Sequence, residues 1–300
     1  MKILLPIDIE HINQNFKNEL IANLKSHIDI QNSSVDLLYI IEQLPSYESV
    51  LSTLDGNNLD IKNRVFDHAN KLLVQLVDDL NNHFKKISFK IEIGLYSEII
   101  TKYTSRGNYD LIAVKLKDNI RIDERLFGRI SRQLLHLSQN SILFFKNQLV
   151  YEKSSIVIGI DGSDYALESI SKANNLLNFN DNYNQIYLTS VVHLPSIVYA
   201  VTPHEYSTIF EADMVAKANL NLAKALNYCN EHNIKNASIK LLTGSIAQSI
   251  TQFCDDIKAN LIILASHGVH KNLSLDNLLT GSLSEELLST SKNQQIIVIK

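Results

Sequence analysis

Short apolar runs alternate with longer amphipathic stretches along the chain, and the whole alternation occurs twice. In the second half, Ile156 to Ile160 is a short run rich in β-branched apolar residues, the pattern of a buried strand. Ser163 or Asp164 then stands where a helix cap is expected, with Ala166, Leu167, Ile170, Ala173 and Leu177 at helical spacing behind it. A second strand is expected over 186–192, then a loop holding Pro195 and Pro203. A long helix follows, with Met214, Val215, Ala218, Leu222, Ala225, Leu226 and Cys229 on one face. A strand over 237–242, a helix carrying Ile246, Ile250, Phe253 and Ile257, a strand over 261–264, a helix from Ser282 and a strand over 296–299 complete five strands and four helices. The first half repeats the order, with strands expected near 2–7, 35–41, 87–93, 111–114 and 141–145.

The two halves are copies of one unit. MKILLPID at 1–8 matches SSIVIGID at 154–161, an offset of 153 that aligns Asp8 with Asp161. IEIGLYSEIITKYTSRGNYDLIAV at 91–114 matches LLTGSIAQSITQFCDDIKANLIIL at 241–264, aligning Gly94 with Gly244, and SILFFK at 141–146 matches QIIVIK at 295–300. Strands alternating with helices give βαβ units, and right-handed crossovers wind them into a sheet covered on both sides. The expected architecture is therefore α/β: two tandem doubly wound five-stranded parallel-sheet domains, 1–147 and 154–300. Their short polar linker falls near Asn147 to Ser154. The terminal strands of the two copies are apolar, and an apolar edge needs covering, so an internal pseudo-dimer about a pseudo-twofold axis is expected.

Composition narrows the chemistry. A net charge of −4 supplies no basic field, which argues against a protein that grips nucleic acid through its phosphates. Two cysteines in 300 residues, Cys229 and Cys254, lack metal-ligand spacing and sit among apolar neighbours, as reduced core residues of a cytoplasmic protein do. The apolar run in MKILLPIDIE is broken by Asp8 and Glu10, too short for a signal peptide or a membrane span. No GxxxxGK[ST] loop, GxSxG elbow or HExxH pair is present, so no catalytic residue is assigned.

Ligands of doubly wound sheets bind beyond the carboxyl ends of the strands. Beyond the fourth strand of the second copy the chain reads ASHGVHKNLSLDNLLTGSLSEELL, with Ala265, His267 and Gly268 early and Gly281, Ser282 and Leu283 opening the last helix. Glycine lets backbone approach a phosphate, and the first amides of a helix offer free donors to an anion. A simpler reading is also open: Ser282 with Glu285 three residues on fits an ordinary capping box. His267 and His270 flank Gly268 within reach of a phosphate. With no third ligand they make no metal site, and solvent exposure is the simpler reading.

The whole constellation resembles the universal stress protein family. That family places an Asp at the end of strand one, then, after strand four, a glycine, two residues, a second glycine, nine residues, and Gly-Ser or Gly-Thr opening the last helix. Asp161 in GIDGSD fits the first element, ASHG resembles the family's GSHG, and GSLSEELL resembles its GSVSE. The resemblance implies a cytoplasmic stress-response protein holding ATP, ADP or AMP, with Mg accompanying the phosphates. It places Asp161 at the adenine or ribose, Val191 in the base pocket, and Gly268, Gly281, Ser282 and Leu283 around ribose and phosphates. Asp161 has a rival role, bonding backbone amides in the turn before the first helix, which Asp8 would share.

Two departures bear on this. Ala265 stands at the first glycine position, and twelve residues rather than nine separate Gly268 from Gly281. In the first copy the spacing is nine, but Lys115 and Asp118 occupy the two glycine positions and Arg129 follows Gly128. That copy is expected not to hold a nucleotide in the family manner. Its Lys115, Lys117, Arg121, Arg125 and Arg129 offer charge to another anion, although a solvated surface is the stronger reading of them. Three functions stay open: nucleotide binding in the second copy, an interaction module working without nucleotide through protein partners or a homodimer, and a slow ATP hydrolase.

Overall fold

The computed structural model describes residues 1–9, 12–42, 58–105, 109–116, 134–146, 155–193, 204–266, 282–291 and 293–300, without the side chains of 58–62, 204, 205 and 282. The chain divides into two compact units, Met1–Asn147 and Gln148–Lys300. The linker and the candidate residues His267, Gly268, Gly281, Asp118, Lys117, Arg121, Arg125, Gly128 and Arg129, together with His270, lie outside the described residues.

In the first unit β1 (Lys2–Ile7), β2 (Ser34–Glu42), β3 (Lys86–Gly94), β4 (Leu111–Lys115) and β5 (Ser141–Phe145) are arranged in the order β3-β2-β1-β4-β5, all parallel. Helices α1 (Gln14–Lys25), α2 (Asn58–Leu80) and α3 (Tyr96–Thr104) cross between them. Helix α1 is capped by Asn13, whose Oδ1 accepts from the Phe16 amide at 2.8 Å. Helix α1 thus starts six residues after Asp8.

The second unit repeats the order. Strands β6 (Ser155–Gly159), β7 (Gln185–Val192), β8 (Ala237–Thr243), β9 (Leu261–Ala265) and β10 (Gln295–Ile299) lie as β8-β7-β6-β9-β10, again parallel. Strand β9 is buried over its first four residues and β10 throughout, which is why both read in the sequence as plain apolar runs. The exposed edge strand β8 carries Lys240, a charge that discourages further strand pairing.

Helix α4 (Asp164–Leu177) starts at Ser163, whose hydroxyl accepts from the Ala166 amide at 3.1 Å. Ala166, Ile170, Ala173 and Leu177 are buried along one face as the spacing predicts. The helix stops because Asn178 adopts the left-handed conformation at φ 49°, a common way to close a helix. Its side chain and that of Asn174 then nucleate a short extra helix the sequence reading lacked, α5 (Phe179–Asn182), by bonding Asp181 and the Phe179 amide. Helix α6 (His204–Glu231) buries Ala218, Leu222, Ala225 and Cys229, the centre of its expected face.

Helix α7 (Ile246–Asp256) departs from expectation. It buries Ala247, Ile250 and Cys254, while Ile246 is 38% exposed. Ile246 is the first helical residue; Phe253 sets its ring edge-on to Tyr187, with centroids 5.3 Å apart. Helix α8 (Ser282–Thr290) precedes β10. Both cysteines are free and buried, and burial pushes the Cys229 thiol up to about 11 and that of Cys254 higher still. No helix among the described residues is long and apolar enough to cross a membrane.

Candidate functional site

In the second unit the chain leaves β6 in one direction to build β7 and β8 and later returns to place β9 and β10 on the other side. The strand order therefore reverses between β6 and β9, and the crevice beyond their carboxyl ends is where a doubly wound sheet accepts a ligand. Three candidate residues converge on this edge. Gly159 pairs with Thr189, so Asp161 and Val191 both lie two residues beyond a paired position, and Ile158 pairs with Ile263, two residues before Ala265. Val191 is half-buried near the end of β7, and Ala265 is half-buried as the last residue of β9.

Asp161 has a defined local job. Its Oδ1 accepts from the Ser163 amide at 2.9 Å and from the Ser163 hydroxyl at 2.6 Å, while the same hydroxyl caps α4. Asp161 thus fixes the rotamer of the cap as well as the turn, as the backbone-bonding reading of it expects. Between them Gly162 adopts φ +88°. A Cβ there would run into the Asn221 carboxamide, 2.6 Å from its Cγ and closer to its Nδ2. The amide of a residue on α6 therefore lies directly against the turn that carries Asp161. Sequence reasoning singled out neither Gly162 nor Asn221.

Around the crevice, Ser266 donates its amide to the Ile299 carbonyl at 2.8 Å, tying the start of the following segment to β10. Just past β10, burial pushes the Lys300 amine down to about 8, and the Lys300 carbonyl accepts from Lys172 of α4 at 3.2 Å. On the other flank His193 bonds through Nδ1 to the Gly244 carbonyl at 3.0 Å, joining the end of β7 to the turn after β8. Leu283 is half-buried in the first turn of α8, and Ser282 is the first helical residue. No group of three His, Cys, Asp or Glu suited to a metal occurs among the described residues.

The first unit uses the matching position differently. Lys115 ends β4 as Ala265 ends β9, and its ammonium meets Glu19 of α1 at 2.6 Å while lying 4.9 Å from the Phe16 ring centroid. Their side chains are 20% and 27% exposed. This corrects both readings of Lys115: it is neither a solvated surface charge nor a cation awaiting an anion, because a carboxylate of its own unit already holds it.

Comparison with known proteins gives a matching context. The model of the universal stress protein family matches residues 154–298, the second unit. Among solved structures, a universal stress protein from Archaeoglobus fulgidus is 17% identical, covering 100% of this chain and 96% of that one at a TM-score of 0.66. A functionally unknown protein from Pseudomonas aeruginosa is 14% identical, with 100% and 92% covered at a TM-score of 0.59. The cytoplasmic domain of a prokaryotic cation chloride cotransporter is 13% identical, with 99% and 94% covered at 0.52. At such identities the likeness establishes the fold and nothing about the ligand. No curated protein matches the chain.

Proposed function

Because residues 154–298 belong to the universal stress protein family, we propose that the second unit binds an adenine nucleotide in the crevice beyond β6 and β9 and releases it unchanged. The observation that supports this is the convergence of Asp161, Val191 and Ala265 on the carboxyl edge where the strand order reverses. In this reading Val191 lines the base and Asp161 faces base or ribose. Ala265, His267, Gly268, Gly281, Ser282 and Leu283 surround ribose and phosphates, with the unpaired amides at the start of α8 facing the anion. Mg arrives with the nucleotide: it keeps phosphate and water ligands, so it needs no cluster of protein carboxylates. The first unit serves as a structural companion, and the protein acts as a nucleotide-responsive stress protein in the cytoplasm.

A second reading, an interaction module that works without nucleotide, draws on the engagement of Asp161 by Ser163. An Asp with a full structural role does not require a ligand to explain it. Isothermal titration with ATP and Mg²⁺ separates the two, with Gly281→Asp as control. One site per chain, lost in the control, is the expected result. Two sites per chain would overturn the structural role given to the first unit. No binding by nucleotide-free protein would overturn the nucleotide reading and favour the interaction module.

A further inference from the structure

A carboxamide with no partner among the described residues sits beside the proposed base position. Asn221 is half-buried on α6, and its side chain makes no hydrogen bond among those residues. It abuts the Gly162 backbone so closely that a methyl group added there would overlap it. The neighbouring residue Asp161, two residues past the end of β6, lies level with Val191, the penultimate residue of β7. Enclosed amides are ordinarily bonded within the protein, whereas a half-buried one that bonds no described residue stays open to solvent or a ligand. An amide held against this turn with both groups uncommitted is equipped to bond a ligand.

From this placement we infer that Asn221 reads the base of the bound nucleotide and sets a preference for adenine over guanine; the inference rests on the nucleotide reading of this crevice. A carboxamide presents one acceptor and one donor side by side. The N6 amine and N7 of adenine offer the complementary donor and acceptor, whereas O6 and N7 of guanine are both acceptors and leave the amide oxygen facing a lone pair. Gly162 contributes by having no side chain, so the amide reaches the turn instead of being held away from it.

The test is competition titration of ATP and GTP, each with Mg²⁺, against the full chain and two variants. The intact protein should prefer ATP by about tenfold or more, in line with what one bidentate base contact discriminates. Asn221→Leu keeps the size of the side chain and removes both polar groups; it should weaken ATP and bring the two affinities within about twofold of each other. Asn221→Asp keeps the shape but offers only acceptors: it still accepts from N6 of adenine, whereas it faces both O6 and N7 of guanine with lone pairs, so its ATP-to-GTP ratio should stay above that of Asn221→Leu. Because a ratio is read, the repulsion between the new carboxylate and the phosphates, common to both nucleotides, cancels. An unchanged ratio in Asn221→Leu, or a ratio in Asn221→Asp no higher than in Asn221→Leu, with ATP still bound by the intact protein, would overturn the role of Asn221 and leave the nucleotide reading standing. Binding of neither nucleotide by the intact protein would overturn both. Far-UV circular dichroism establishes that each variant is folded before its ratio is compared.

Discussion

Gly162→Ala is the sharpest perturbation of the β6–α4 turn, because two separate costs meet there. At φ +88° an alanine is strained whatever surrounds it, and a residue forced into such a region costs about 1–3 kcal/mol. The new methyl group would also overlap the Asn221 carboxamide. That second cost is the smaller: the amide is the end of a short flexible chain with no hydrogen bond among the described residues to lose, so it can swing aside. The expected loss is about 2 kcal/mol, carried by the backbone. It would be read from the denaturant dependence of hydrogen exchange at β6 and β9 amides, which isolates the second unit where a whole-chain melt mixes two transitions. Adding Asn221→Ala should restore only about 0.5 kcal/mol, since it removes the overlap and leaves the torsion. A loss below about 0.5 kcal/mol for the single variant would refute the strain argument. Full recovery in the double variant would show that crowding, and not torsion, holds the cost.

Two further outcomes test the first unit. Lys115→Met keeps an apolar stem near Phe16 but strands the Glu19 carboxylate, so urea unfolding of this unit should shift by about 1 kcal/mol, and Glu19→Gln in the same chain should return much of it. The second outcome concerns pH. Burial of Asp36 would raise its carboxyl, but hydrogen bonds from Ser88 and from Tyr109 at 2.9 Å, with the Lys2 ammonium at 3.3 Å, outweigh burial and hold it below the usual range. A depressed folded value means the contribution is complete above the unfolded value near 4 and is lost as pH falls through the folded one. Unfolding free energy measured from pH 5 down to pH 2 should therefore fall less steeply in Asp36→Asn than in the parent; identical slopes would remove Asp36 from the account.

The strands were legible because a parallel strand covered on both faces is a plain apolar run, and LIIL and IIVI say so without help from the rest of the chain. The turn holding Asp161 was legible for the same local reason, its bonds reaching only two residues. What escaped depends on partners distant in sequence or on faces that hydrophobicity ranks poorly. Helix α7 buries Ala247 and Cys254 in preference to Ile246, and a pattern that ranks positions by hydrophobicity alone places the isoleucine first. Four residues of α5 carry no period at all, and only the Asn174 and Asn178 caps foretell it. Lys115 reads as a surface lysine until α1 brings Glu19 across 96 positions. Gly162 and Asn221 meet only because α6 packs beside the β6–α4 turn, and neither residue type announces the other.

The same strand end has been put to opposite uses in the two copies, and this constrains any account of the pair. Ala265 and Lys115 close equivalent strands in equivalent sheets, β9 and β4, so the backbone offers each the same outlook beyond the carboxyl edge. A methyl group there leaves room and no charge. A lysine bound to Glu19 fills the position with a neutralised pair, and an incoming anion would have to compete with a carboxylate already at 2.6 Å. The first helix differs in the same sense: α4 begins three residues after Asp161 through the Asp161–Ser163 cap, whereas α1 begins later and takes its cap from Asn13. A strand end filled by an ion pair and a first helix that starts later are what a unit relieved of a ligand would show. An uncharged strand end and the Asp161–Ser163 turn, beside an amide with no hydrogen bond among the described residues, are what a unit still selected for one would show. The asymmetry thus argues that any nucleotide response of this protein enters through the second unit, whatever the first contributes to its stability.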